Sequence, residues 1–227
     1  MSEEREPPAK SPEVTPSRPL QPAGLDRGLH LGFVAHEFRN PLSTALWSAE
    51  LLARLRPEER AGERGGKLAK LMARALGRVQ LLMEDHLLCE RLDAGGYLLR
   101  LGPIDVAALL RAVLERLALE PVPELRLAPG LAARGDRALL ERAVEGVLAV
   151  AGRGGGPVHV AGEASAGLVR LTVRGAPVER LSDPVKGSLS DPTGRALALP
   201  MARRVAEVHG GALTADEDGY LLVFPAT

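Results

Sequence analysis

The sequence predicts an α+β protein: a helical hairpin that pairs with a second copy as a four-helix bundle, followed by an α/β sandwich. Three observations lead there. Two long stretches, about residues 25–55 and 67–92, carry apolar side chains in heptads. The break between them is short enough to force an antiparallel hairpin. Beyond Gly96 the pattern changes to short β-type runs alternating with amphipathic helices, which suits helices laid over a mixed sheet.

Residues 1–24 are rich in Pro, Glu and Ser with almost no apolar periodicity, so a disordered tail is expected. The unit at 25–95 is the hairpin. Its first helix, Leu25 to Leu55, sets Leu31, Phe38, Ala45 and Leu52 on one row and Ala35, Leu42 and Ala49 on another. Arg56-Pro57 and a turn over Gly62 to Gly66 end it. The second helix, Lys67 to Leu92, aligns Leu68, Ala75, Leu82 and Cys89 beside Met72, Val79 and His86, and Gly95-Gly96 stops it. Cys89 reads as a small core residue and His86 as part of the seam. One hairpin would leave an apolar seam exposed; two hairpins cover it, so a homodimer is expected.

The unit at 96–227 reads in order as follows. A strand is expected over Tyr97–Leu101 and a helix over Asp105–Leu119, capped near Asp105. Leu125–Leu127 is a short strand and Asp136–Ala151 an amphipathic helix. Val158–Ala161 and Leu168–Arg174 form an antiparallel pair. A helix follows over Thr193–His209, interrupted or started at Pro200, and Leu213–Thr214 with Tyr220–Phe224 close the sheet.

Composition narrows the function. The chain is 45% hydrophobic and 26% charged, as ordinary globular proteins are, and its net charge of zero attracts neither nucleic acid nor an anionic membrane. The single cysteine excludes an internal disulfide and fits a reducing compartment. No signal peptide is visible, and no apolar run reaches the ~18–20 residues that span a bilayer. A cytoplasmic protein is expected.

The stretch that carries chemistry is Leu31 to Leu42, LGFVAHEFRNPL. His36 follows Ala35 by one position, so it sits beside the seam and faces solvent. Imidazole is a nucleophile near neutral pH because its unperturbed pKa is about 6.5. Glu37 can hold or accept the proton of the ring nitrogen that does not attack. Asn40, four residues on, shares the face and can donate to a phosphoryl oxygen, and Arg39 can steady the same group. Pro41 removes a backbone N–H near the site, so a local bend is expected.

HEFRNPL resembles the phosphoacceptor box of sensor histidine kinases, in their dimerisation and histidine-phosphotransfer domain. LLMEDHLLCERLDAGG resembles the end of that domain's second helix, and the order of elements after Gly96 resembles the family's ATP-binding domain. The resemblance covers about Leu25 to Phe224. It implies a phosphorylated histidine and response regulator receiver domains as partners. Where kinases of the family begin with a sensory domain this chain has the tail, so input through phosphotransfer from a partner is expected.

Against the family's nucleotide site the sequence departs three times. In LLERAVEGVLAVAGRGGG, Gly146 and Val150 stand where the family has two asparagines, and valine has no oxygen for Mg²⁺. Val173–Pro177, VRGAP, lacks the adenine-reading carboxylate and keeps Gly175. In Gly194-Arg195-Ala196-Leu197-Ala198-Leu199, alanines replace glycines of the phosphate loop. His209-Gly210-Gly211 matches the family but serves a helix exit into a strand. Arg195, or Arg203 with Arg204, reads as a solvated face rather than an anion site.

The expected protein is a histidine phosphotransferase with a vestigial kinase domain. It would hold no cofactor of its own, since the receiver supplies Mg²⁺ and the acceptor carboxylate. Two alternatives stand beside it: an ATP-dependent autophosphorylating kinase with a divergent nucleotide site, and a pseudokinase that only docks a regulator.

Overall fold

The structure, a computed structural model, describes residues 24–175, 196–216 and 218–227. The tail expected over 1–24 lies outside the described residues except for Gly24. So do Ala176 and Pro177 of the VRGAP segment and Thr193, Gly194 and Arg195.

Helix α1, Gly24–Arg54, runs 31 residues with Pro41 inside it. A short α2, Pro57–Ala61, leads into α3, Glu63–Asp93. The turn expected over Gly62–Gly66 shrinks to Gly62, and Gly65 and Gly66 lie within the first turns of α3. The reason is steric and electrostatic. Gly65 presses on the Arg60 backbone, where no side chain fits, and Glu63 pairs with Lys67 at 2.6 Å across the new turn. Gly65 permits a close crossing of α2 over α3 rather than a break.

The α3 row is buried as its heptad requires: Ala75, Leu82 and Cys89 are each 1% exposed. On α1 the buried face is Val34, Glu37, Pro41, Ala45 and Ser48, and Leu55 just past its end continues it. The second expected row lies on the flank: Ala35 and Leu42 are exposed, and Ala49 is half-buried. Two helices bury one stripe of each against the other, and a row offset by about a quarter turn stays outside.

The second unit contains β1 (Leu101–Asp105), α4 (Val106–Leu117), β2 (Glu124–Leu127), β3 (Ala132–Asp136) and α5 (Arg137–Ala151). After them come β4 (His159–Ser165), β5 (Leu168–Arg174), α6 (Ala198–Val208), β6 (Ala212–Ala215) and β7 (Tyr220–Pro225). Five strands form one sheet in the order β2-β4-β5-β7-β6, and β1 pairs with β3 as a separate ribbon. Only β2 and β4 run parallel. Val160, Val169, Leu171, Leu222 and Phe224 from the sheet share one core with Leu110, Val113, Leu140, Val147 and Val205 from the helices.

Two local expectations fail. The strand expected at Tyr97–Leu101 lies at Leu101–Asp105, and its partner β3 was not foreseen at all. Gly102-Pro103 reads locally as turn chemistry. Pairing from Leu101↔Asp136 to Asp105↔Ala132 overrides it. Helix α4 ends at Leu117, two residues early, because Ala118 turns left-handed at φ 45°.

The cap read at Asp105 holds, and Asp136 caps α5 in the same way. Asp105 accepts from Ala108 N–H at 3.0 Å, and Asp136 accepts from Ala138 N–H and Leu139 N–H. Asp136 also ties in other elements. Its Oδ2 accepts from Arg100 N–H, and its own N–H donates to His209 Nε2 at 2.9 Å. His209 Nδ1 donates to Val205 O at 2.7 Å, so the buried ring is neutral, with its proton on Nδ1. This histidine links the end of α6 to the start of α5. His209→Leu orphans a buried N–H, which costs about 1–3 kcal/mol, and should lower the melting temperature by roughly 2–4 °C per kcal/mol. An unchanged melting curve would remove this linking role.

Candidate functional site

On α1, His36 projects away from α3 and is exposed, as are Arg39 and Asn40. His36 and Asn40 are one turn apart on the same face. Ser43 and Trp47 continue that outward stripe, with Trp47 56% exposed. Trp47 was overlooked in the sequence. Its signal is the spacing of eleven residues from His36, three turns along one face.

Glu37 is placed differently. It is 3% exposed, on the side of α1 that meets α3. Adjacent helical residues point about 100° apart, so the acid is not on the solvent face with the imidazole.

The second unit reaches the hairpin close to this site. Leu197 packs with Val34 and Leu82, and Phe33, Phe38 and Ala196 gather round them. The segment that the resemblance assigns to phosphate binding thus rests on α1 two residues before His36.

Among the described residues, the other positions that the resemblance aligns with the family's nucleotide site are closely packed. Val150 is 1% exposed and Ala198 fully buried. A Cβ on Gly146 would lie 3.2 Å from Ala198 O and 3.3 Å from Ala198 Cβ, so α5 and α6 touch there. A Cβ on Gly175 would stand 2.5 Å from Ala151 O, so β5 is pressed onto the end of α5. Arg203 pairs with Glu207 at 3.7 Å, and Arg204 with Asp93 at 2.8 Å. Among the described residues no group of three or more His, Cys, Asp and Glu side chains is arranged to hold a metal.

One further exposed histidine has an acid beside it. His159 on β4 lies 2.9 Å from Glu124 on β2, through Nδ1 and Oε2. Sequence reading missed the pair because parallel strand pairing brings it together across 35 residues. It sits on the sheet's outer edge, and Glu124 also binds Arg126.

Comparison with known proteins places this geometry. The family described as the His Kinase A (phospho-acceptor) domain matches residues 26–95. The sensor protein DivL of Caulobacter vibrioides is 29% identical over 231 aligned positions, covering 88% of this chain and 29% of DivL, so the chain spans under a third of that relative. The histidine kinase AdeS of Acinetobacter baumannii superposes with a TM-score of 0.67 at 17% identity, covering 85% of this chain and 98% of that one. The histidine kinase ThkA, solved in complex with the response regulator protein TrrA, matches with a TM-score of 0.56 at 17% identity over 88% and 62% of the two chains. Full-length ShkA, solved with AMPPNP, matches with a TM-score of 0.55 at 24% identity over 88% and 45%. At these identities the three structures show a shared fold. No helix among the described residues is long and apolar enough to cross a membrane.

Proposed function

We propose that this chain, whose residues 26–95 match the His Kinase A (phospho-acceptor) domain, is a two-component signalling protein in which His36 accepts a phosphoryl group from a receiver-domain aspartate and passes it to another. A ring nitrogen of His36 attacks the phosphorus of the aspartyl phosphate, the P–O bond to the carboxylate breaks, and the carboxylate leaves. The second transfer is the reverse step onto a new aspartate. Asn40 donates a hydrogen bond to the phosphoryl oxygens and Arg39 offsets their charge. Glu37 takes part in proton movement only by turning out of the α1–α3 face.

The observation that carries this reading is the contrast between an exposed His36 and a packed nucleotide region. Among the described residues, Gly146, Val150 and Ala198 offer no side-chain oxygen to a magnesium ion, and α5 meets α6 at Gly146, which supports this reading. The partner reading draws support from ThkA, a protein of this fold bound to a response regulator. A homodimer is part of the proposal, supported by the exposed flank of Leu42, Leu76, Met83 and Leu87 on one side of the hairpin. So is a cytoplasmic location, which the lone cysteine fits.

Millimolar ATP with Mg²⁺ should leave the melting temperature unchanged, because a ligand stabilises only by what it binds. A saturable rise of several degrees would put the autophosphorylating reading first.

A further inference from the structure

Helix α3 does not stop at the edge of the hairpin. Its last two turns carry Leu88, Cys89 and Leu92 into the core formed by α4, α5 and α6. Two arginines of the second unit close on acids of the same stretch. Arg142, on α5, puts Nη2 2.8 Å from Asp85 Oδ1 and 3.3 Å from Glu84 Oε2. Arg204, on α6, sets Nε 2.8 Å from both carboxylate oxygens of Asp93. Asp85 is 1% exposed, and Asp85, Cys89 and Asp93 recur every four residues along one side of α3.

We propose that these three interdomain ion pairs, made by two arginines, latch the second unit onto α3, so that hairpin and sandwich move as one rigid body and not as a domain swinging on its linker. A buried carboxylate is tolerable only while its partner is in place. Lifting the second unit off would separate Asp85 from Arg142 and expose apolar surface around Cys89 in the same step. The linker is held as well, through Arg100 N–H on Asp136. The latch does not depend on how His36 obtains a phosphoryl group.

Cys89 is the chain's only cysteine, and it reports on the latch. Its thiol is pushed up to about 12, chiefly by burial and partly by Asp85 and Asp93, with Arg204 opposing. A thiol reagent reaches it only when the second unit lifts, so alkylation follows the population of the open form. In the full chain, iodoacetamide should modify Cys89 slowly. Arg142→Ala and Arg204→Ala should each speed the reaction at least about tenfold with helicity retained. The swapped pair Asp93→Arg with Arg204→Glu should return toward the wild-type rate. Folded single variants that alkylate at the wild-type rate overturn the latch. So does a swap as fast as Arg204→Ala, whether or not Arg142→Ala folds.

Discussion

His36→Ala should abolish phosphoryl labelling by phosphorylated receiver domains, the largest change expected of any single substitution here. The loss should be complete, because the nucleophile itself is removed and the other histidine of α1, His30, has neither an acid after it nor an amide four residues on. Glu37→Ala should only slow transfer, by at most the roughly 10²–10⁴-fold that general acid–base help supplies. His159→Ala is the control. That histidine is exposed and has a carboxylate 2.9 Å away, so it tests whether exposure and an acid suffice. The expected outcome is full labelling of His159→Ala and none of His36→Ala. Wild-type protein that never takes label from any receiver domain would leave the docking-module reading in its place.

Leu42→Asp combined with Met83→Asp should turn a dimer into a monomer. Both side chains lie on the exposed flank of the hairpin, at 40% and 49% exposure in the single chain. The hairpin's own packing should therefore survive the change. Burying a large apolar side chain is worth roughly 1.5–3 kcal/mol, and a symmetric dimer loses four. That sums to roughly 6 kcal/mol or more, or at least about 10⁴-fold in dissociation constant, before the cost of facing carboxylates. Light scattering at micromolar concentration measures it directly. A double variant that stays dimeric, or a wild-type monomer, removes this interface.

The nucleophile was legible because its neighbours are sequential. His36, Arg39 and Asn40 lie within five residues on a helix whose period sets their directions. The surroundings of Glu37 were not legible in the same way. The heptad assigned α1 two apolar rows but did not say which one meets α3 and which stays on the flank. Glu37 falls on the α3 side, and only helix packing reveals that.

Local codes determined the hairpin with its heptads, the Asp105 and Asp136 caps, the glycine stop after α3 and the alternating strands of the main sheet. Each depends on residues a few positions apart, so the chain specifies it before folding. Tertiary structure alone decided the β1–β3 ribbon, which forms despite Gly102-Pro103 because its ladder partners are distant in sequence. It also decided the His209–Asp136 link across 73 residues and the Arg142–Asp85 pair across 57. Such contacts join groups that are unremarkable in their own segments. They become favourable only where folding removes water and sets polar groups against partners of matching chemistry.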